Sequence, residues 1–288
     1  MIDHERCAAL VESLAAKSEV HETACANGTM PFRRWPCQGA DDAPTIVLCH
    51  GGSGSWTHWI ANIETLAQRF HVVAPDLPGL GDAASLPDGD TAEDAAHWLG
   101  EGIAEVVDGR CHLAAFSWGC IPASMVAASS RLDLASLLLI GPAALGPMPE
   151  RPALEPLIRR TPDMSADEVD DANRENLARL MIADRQRIDD LAVYLQTLNT
   201  RRSRFNSPQF AGTRLVLDSL AALSVPTCIV YGELDATARP NIGFRREQLL
   251  AVRPDIRFEV HPGAGHWLQY EAAREFNALL VEWVTGNS

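Results

Sequence analysis

Short apolar runs alternate with amphipathic stretches along most of this chain. The runs are rich in Val, Ile and Leu and mostly lack strict polar alternation, which is typical of strands covered on both faces of a parallel sheet. The stretches between them, such as 57–69 and 91–107, have helical periodicity and can supply the crossovers. We therefore predict an α/β fold, a mostly parallel sheet with helices on both faces. The predicted strands are 45–49, 71–74, 111–116, 134–140, 226–231 and 256–260.

Two segments depart from this alternation. Residues 4–18 have a helical pattern, and we assign 1–20 to an N-terminal helical extension whose role the sequence leaves open. Prolines crowd the start of 147–210, and two amphipathic helices follow, the first with a capping box formed by Ser165 and Glu168. We predict that 147–210 is a helical cap inserted into a core formed by 1–146 and 211–288.

Composition narrows the class of protein. Apolar residues make up 47% of the chain and charged residues 22%, as in ordinary globular proteins. The net charge of −14 disfavours nucleic acid and anionic membrane surfaces as partners. We expect no membrane span, because no apolar run reaches ~20 residues. We expect no signal peptide, because Asp3, Glu5 and Arg6 lie where its apolar stretch would have to begin. Seven cysteines without metal or redox spacing favour a reducing, cytoplasmic location.

The strongest local motif surrounds a serine. An apolar strand runs directly into Ala115-Phe116-Ser117-Trp118-Gly119, and a helix-compatible stretch follows. A sharp strand–turn–helix exposes the serine and requires small flanking residues, which Ala115 and Gly119 are. This segment resembles the G-x-S-x-G nucleophile elbow of the α/β-hydrolase family, with Ala in place of the first Gly. The alternative is a buried serine in an ordinary turn.

The resemblance implies an acid and a histidine later in the chain, in the order Ser, Asp/Glu, His. His266 follows the last predicted strand in a loop that contains Gly263 and Gly265, and Asp235 follows the strand before it. Glu233 is the competing acid. We predict that Ser117, Asp235 and His266 form a catalytic triad, in which Asp235 orients His266 and His266 activates Ser117. Asp76, in a turn similar to one typical of the family, is predicted to be structural.

The first strong strand ends in His50-Gly51-Gly52-Ser53, which is similar to the family's oxyanion loop. One oxyanion donor is predicted to be the N–H of Trp118 and the other that of Gly52, with Ser53 left as an alternative. The site needs no metal and no organic cofactor. The segment is not a P-loop, since no Lys-Ser/Thr follows its glycines.

We therefore expect a serine hydrolase that cleaves a carboxylic ester or similar acyl bond of a small apolar substrate. The region after Gly265 resembles the C–C bond hydrolases that cleave dienoate-type ring-fission products. This resemblance makes such a hydrolase the second interpretation, and it implies that Trp267 lines the site. Trp56 is a further candidate for substrate contact, and Arg201, Arg202 and Arg204 could bind a substrate carboxylate or simply cap a helix. A non-catalytic ligand-binding protein is the remaining alternative. The sequence leaves the oligomeric state open, a homodimer included.

Overall fold

The computed structural model of the protein describes residues 2–87, 89–150 and 154–288. The strands among these residues form one mixed sheet. The strand order is β1-β2-β4-β3-β5-β6-β7-β8. Strands β1 and β2 form an antiparallel hairpin at one edge and β2 also pairs antiparallel with β4, whereas the other neighbouring strands are parallel. The strands are β1 Glu19–Cys25, β2 Gly28–Trp35, β3 Thr45–Cys49, β4 His71–Pro75, β5 Cys111–Phe116, β6 Leu134–Ile140, β7 Thr227–Gly232 and β8 Arg257–His261.

The predicted α/β fold is confirmed, and each predicted strand lies within one residue of an observed one. The hairpin β1–β2 was not predicted. Most side chains of β1 are exposed, because the hairpin lies at the sheet edge, so the strand lacks the apolar run that marks the buried parallel strands.

Helices cover both faces of the sheet, and two hydrophobic clusters lie on its opposite sides. The predicted helix 57–69 is instead a 3-10 turn at Trp56–Trp59 followed by one short helix. All four side chains of that turn are buried, which a single amphipathic helix on the surface could not achieve. The helices are α1 His4–Ala15, α2 Ile63–Leu66, α3 Ala92–Val106, α4 Cys120–Ala128, α5 Ala166–Leu180, α6 Asp190–Arg201, α7 Leu215–Ala222, α8 Ile242–Val252, α9 Leu268–Glu271 and α10 Ala273–Gly286.

We call residues 154–210, which lie between β6 and β7, the cap. They hold the two predicted helices, α5 and α6, which pack against each other. The capping box of Ser165 and Glu168 begins α5 as predicted. The N-terminal helix α1 joins this segment to the core. At its start, His4 Nε2 lies 2.7 Å from Asp170 Oδ2 in α5, and at its end the Trp35 indole N–H donates to the Leu14 carbonyl.

The carboxyl ends of the parallel strands β3, β5, β7 and β8 lie at one edge of the sheet. The loops that follow them therefore converge there, where ligands bind in open α/β sheets. Among the helices that the structure describes, none has the length and apolar character needed to cross a membrane.

Candidate active site

A sharp turn after β5 holds Ser117 in an unusual backbone conformation. Its φ of +54° lies in the left-handed region that residues with a side chain rarely adopt. The turn is tight because the neighbouring strand passes close by. A Cβ on Gly119 would come within 2.2 Å of the His50 carbonyl oxygen, so only glycine fits at that position. Helix α4 begins at the next residue, Cys120.

The structure brings the three residues of the predicted triad into one hydrogen-bonded chain. Ser117 Oγ lies 2.8 Å from His266 Nε2, and His266 Nδ1 lies 2.8 Å from Asp235 Oδ2. With the ring proton on Nδ1, the imidazole donates to the carboxylate and its Nε2 accepts the serine hydroxyl. His266 and Asp235 are both buried, so the bond between them is shielded from competing water.

Asp235 is fixed by its own turn. The N–H and the hydroxyl of Thr237 both donate to Asp235 Oδ1, at 2.8 and 2.7 Å, which leaves Oδ2 for His266. Burial acts to raise the pKa of Asp235, but the nearby His266 charge and the bonds from His266 and Thr237 outweigh it and lower that pKa. Asp235 therefore stays ionised. The competing acid, Glu233, lies elsewhere and accepts the Gly263 N–H at 2.9 Å.

The loop that carries His266 is tied to the cap through Glu271. One carboxylate oxygen of this buried residue accepts the N–H groups of Gly265 and Ala183, and the other accepts that of Asp184. A further bond runs from the Trp267 N–H to the Met181 carbonyl at 2.7 Å. The end of the first cap helix and the histidine loop thus share one set of hydrogen bonds.

The loop after β3 lies against the nucleophile turn. A Cβ on Gly51 would be 3.2 Å from Ser117 Cβ, and one on Gly52 would be 3.6 Å from Trp118 Cβ. The Gly51 N–H donates to His58 Nδ1 at 3.2 Å. Within the described residues, the N–H groups of Gly52 and Trp118 have no protein acceptor. They are therefore available to a ligand at Ser117.

Two buried side chains hold this loop in place. His50 Nδ1–H donates to the Gly51 carbonyl, and its Nε2 accepts the Leu77 N–H. Burial lowers the pKa of His50 to about 4, so it is neutral when it forms these bonds. Asp76 accepts the N–H groups of Trp56 and Asp82, in keeping with its predicted structural role.

A cavity of about 540 Å³ opens above Ser117 and His266, a size typical of sites for small molecules. Its lining includes the apolar side chains of Phe116, Trp118 and Pro142. Its roof comes from the cap, including Leu154, Leu157, Ile158, Leu180 and Met181.

The cavity wall is also positively charged. Arg159, Arg160 and Arg245 line it, whereas no aspartate or glutamate is found among the described residues that do. Asn176 holds the arginine segment by accepting the Ile158 N–H and donating to the Ile158 carbonyl. Arg160 donates to the Thr200 hydroxyl. Burial and the nearby Arg201 lower the pKa of Arg160.

The three arginines suggested by the sequence do not line this cavity. Arg202 pairs with Asp82 at 2.9 Å, and Arg204 donates to the carbonyls of Gly81 and Ala83. Both residues fasten the cap to the core. Arg201 is exposed near the end of α6.

The structure also corrects the expectation that Trp56 and Trp267 contact substrate, because both indoles pack in the core. Trp267 is 1% exposed, stacks on Tyr270, and donates its indole N–H to the His58 carbonyl. Trp56 packs against Trp35, and the Arg33 guanidinium lies over its ring.

Sequence reasoning missed four groups of this site. Thr237, two residues after the acid, could have been found from the tendency of aspartate to accept bonds from the backbone two residues on. His58, Arg159 and Arg160 have no motif around them, and only the folded chain places them at the cavity.

Comparisons with known proteins agree with this architecture. A model of the alpha/beta hydrolase family matches residues 46–279. The 2-hydroxy-6-oxononadienedioate/2-hydroxy-6-oxononatrienedioate hydrolase of Cupriavidus pinatubonensis is 26% identical over 269 residues, covering 84% of this chain and 87% of that protein. A pimeloyl-[acyl-carrier protein] methyl ester esterase of Aeromonas hydrophila is 28% identical over 200 residues, covering 67% of this chain and 78% of that protein.

Solved structures share the fold. Carboxylesterase CesB from Bacillus subtilis superposes with a TM-score of 0.73 at 20% identity, and the match covers 99% of both chains. The predicted likeness to C–C hydrolases is confirmed by relatives such as the Cupriavidus protein. Since the family model spans most of its length, this chain belongs to the alpha/beta hydrolase family.

Proposed function

We propose that this protein is a serine hydrolase that cleaves a carboxylic ester or similar acyl bond through an acyl-enzyme. The observation that carries the proposal is the chain of two 2.8 Å hydrogen bonds from Ser117 through His266 to Asp235, at the floor of a cavity. A serine hydroxyl is a weak nucleophile unless a base takes its proton, and His266 is placed to take it.

In the proposed cycle, Ser117 Oγ attacks the substrate carbonyl carbon while His266 Nε2 accepts its proton. The carbonyl oxygen becomes an oxyanion that accepts the N–H groups of Gly52 and Trp118. Protonated His266, stabilised by Asp235, then gives its proton to the leaving group. Water attacks the acyl-enzyme in the same way and releases the acid.

Gly52 is favoured over Ser53 as the second donor. The Gly51 N–H is already bonded to His58, and Gly52 is the next residue, in contact range of Trp118. Its lack of a side chain lets Ser207 lie against the backbone, since a Cβ at this position would come within 2.2 Å of Ser207 Oγ.

The test is labelling with a fluorophosphonate probe, followed by assays with p-nitrophenyl esters of increasing acyl length. Ser117→Ala should abolish labelling and lower kcat by at least about three orders of magnitude, with native circular dichroism. Ser129→Ala, an exposed serine just after α4, is the matched control and should behave like wild type. Labelling of another residue, or activity in Ser117→Ala, would contradict the proposal.

The cap arginines support a second candidate, a C–C bond hydrolase of dienoate-type ring-fission products. The Cupriavidus relative is named for dioate substrates, and the cavity here carries arginines without a lining acid among its described residues. Guanidinium groups suit carboxylates. The two candidate functions are distinguished by kcat/KM, measured for a dienoate ring-fission product and for the best p-nitrophenyl ester. The higher value identifies the reaction that the site favours.

A further inference from the structure

His58 is a buried histidine that the proposed cycle does not use, although it lines the same cavity as Ser117. It belongs to the 3-10 turn Trp56–Trp59 and is 3% exposed. Its ring packs edge-on against the rings of Phe116 and Trp267, with centroids 5.5 and 5.1 Å away. The ring is therefore held in one position.

The hydrogen bond to this ring determines its protonation state. His58 Nδ1 accepts the Gly51 N–H at 3.2 Å, and a nitrogen that accepts a hydrogen bond carries no proton. The proton of the neutral ring must then be on Nε2. Burial, together with the nearby His50 and His266, holds the pKa of His58 well below its usual range, so the ring stays neutral and the bond persists.

The chain makes room for this contact. A Cβ on Gly54 would lie 2.2 Å from His58 Cε1 and 2.4 Å from its Nδ1. Any side chain at position 54 would push the imidazole away from Gly51. The glycine thus permits the ring to reach the amide that precedes the proposed oxyanion donor.

We propose that His58 is a positioning residue for catalysis. Its Nδ1 holds the N–H at one end of Gly51, while His50 Nδ1–H holds the Gly51 carbonyl, which lies in the same peptide plane as the Gly52 N–H. With Gly51 fixed at both ends, the Gly52 N–H is aimed at the oxyanion. This inference rests on the proposed function. An oxyanion donor works only if its direction is set before the reaction, because reorienting a peptide during the reaction costs free energy. His58 acts through Gly51 and Gly52 and does not itself touch the reacting atoms.

Three substitutions separate this role from simple packing. The Oδ1 of Asn can replace Nδ1, because both atoms are two bonds from Cβ, so His58→Asn keeps the acceptor. His58→Gln lacks an acceptor at that point, and His58→Phe keeps the ring but has no acceptor. We expect His58→Gln and His58→Phe to lower kcat roughly 10- to 100-fold with KM changed less than about 3-fold, since the lost interaction is made only in the transition state.

His58→Asn should retain a third or more of the wild-type kcat. His97→Asn, an exposed histidine on α3, is the matched control and should not change kcat. Gly54→Ala should reproduce the loss seen in His58→Phe. If His58→Asn loses as much as His58→Phe, or if His58→Phe is as active as wild type, the inference is overturned.

A trifluoromethyl ketone supplies a second readout, because its adduct with Ser117 places an oxyanion in the same position. Its inhibition constant should rise in His58→Phe by the factor by which kcat/KM falls, while that of the corresponding methyl ketone stays within about 3-fold. A parallel rise for both ketones would indicate a general loss of binding and contradict the inference.

The wild-type protein can be tested without any substitution. Long-range 1H–15N correlation spectra of protein labelled with 15N-histidine should show His58 with a proton on Nε2 and none on Nδ1. A proton on Nδ1 would overturn the inference even if every variant misfolds. If wild type neither reacts with fluorophosphonate nor hydrolyses esters, the proposed function fails, whereas an active wild type with a fully active His58→Phe disproves only the role of His58.

Discussion

Close contact between Ser207 and the loop after β3 makes Gly52 a sensitive position. A Cβ on Gly52 would lie 2.2 Å from Ser207 Oγ and 3.1 Å from Ser207 Cβ. Gly52→Ala should therefore displace either the loop or the cap and lower kcat/KM about 10-fold or more, since small misplacements of catalytic groups have large effects on rate. The assay is hydrolysis of p-nitrophenyl butyrate.

Removing the opposing side chain tests this steric explanation. Ser207→Gly takes away both clashing atoms, so the double variant Gly52→Ala/Ser207→Gly should recover most of the lost activity, a non-additivity expected only for residues in contact. Ser207→Gly alone is the control. A double variant no better than Gly52→Ala would show that the methyl group acts in some other way.

At this scale the sequence predicted the three side chains that the fold brings together but not their surroundings. Ser117, Asp235 and His266 could be identified because each follows a strand whose apolar pattern is local, and parallel strands bring their ends together. Trp267 could face either the cavity or the core, and the packing around its loop decides which. That packing cannot be inferred from its position next to His266 in the sequence. The arginines at 159 and 160 lie in an irregular segment without periodicity, so no pattern indicated their direction.

At the scale of elements, Glu271 joins the cap to the loop that carries His266 through three backbone amides. Glu271→Gln keeps the shape of the side chain but replaces one carboxylate oxygen with an amide NH2. That NH2 would face a backbone N–H, which is also a donor. Losing hydrogen bonds to a buried charge costs roughly 2 kcal/mol, so Tm should fall by about 5 °C. Because His266 is on the same loop, kcat/KM should fall as well, by about 10-fold.

Calorimetry and the ester assay together check this coupling. Glu275→Gln, which alters an exposed carboxylate paired with Arg274, is the matched control and should leave both quantities near wild type. A Glu271→Gln protein with lowered Tm but unchanged kcat/KM would mean that Glu271 stabilises the cap without positioning His266.

Helices and strands could be predicted where burial of their side chains leaves a regular pattern of apolar residues in the sequence. The parallel strands and α3 could be located because their buried faces leave apolar runs or helical periodicity. The hairpin β1–β2 could not, because its outer strand is mostly exposed. The apolar spacing of 57–69 predicts a helix, but the four side chains of the turn Trp56–Trp59 are all buried, and a local pattern does not reveal that.

For the whole molecule, buried neutral histidines make stability depend on pH. Burial lowers the pKa of His50 from its ordinary 6.5 to about 4 and that of His112 also to about 4, and His58 is shifted in the same direction. Between pH 6.5 and pH 4 these histidines bind protons in the unfolded chain but stay neutral in the folded chain. The free energy of unfolding must therefore fall as pH drops below about 6.5.

Asp76 acts in the opposite direction over part of this range. Burial raises its pKa from 3.8 to about 6, although the N–H groups of Asp82 and Trp56 partly counteract that effect. Between pH 6 and pH 4 the folded chain holds a proton on Asp76 that the unfolded chain releases. Through Asp76, the free energy of unfolding therefore rises as pH falls from about 6 towards 4. One carboxyl offsets one histidine, and the remaining histidines still leave the protein less stable in acid.

His50 alone accounts for a measurable share of this loss. A pKa difference of about 2.5 corresponds to roughly 3 kcal/mol between pH 7 and pH 4, or about 1.4 kcal/mol per pH unit where the unfolded histidine is fully protonated. Urea unfolding of wild type at pH 7.0, 6.0 and 5.0 should give decreasing free energies, and His50→Asn should reduce the slope by about one proton. His97→Asn, which replaces an exposed histidine on α3, is the matched control. If His50→Asn kept the wild-type slope, His50 would have to be protonated in the folded protein, and its bond from the Leu77 N–H could not exist as described.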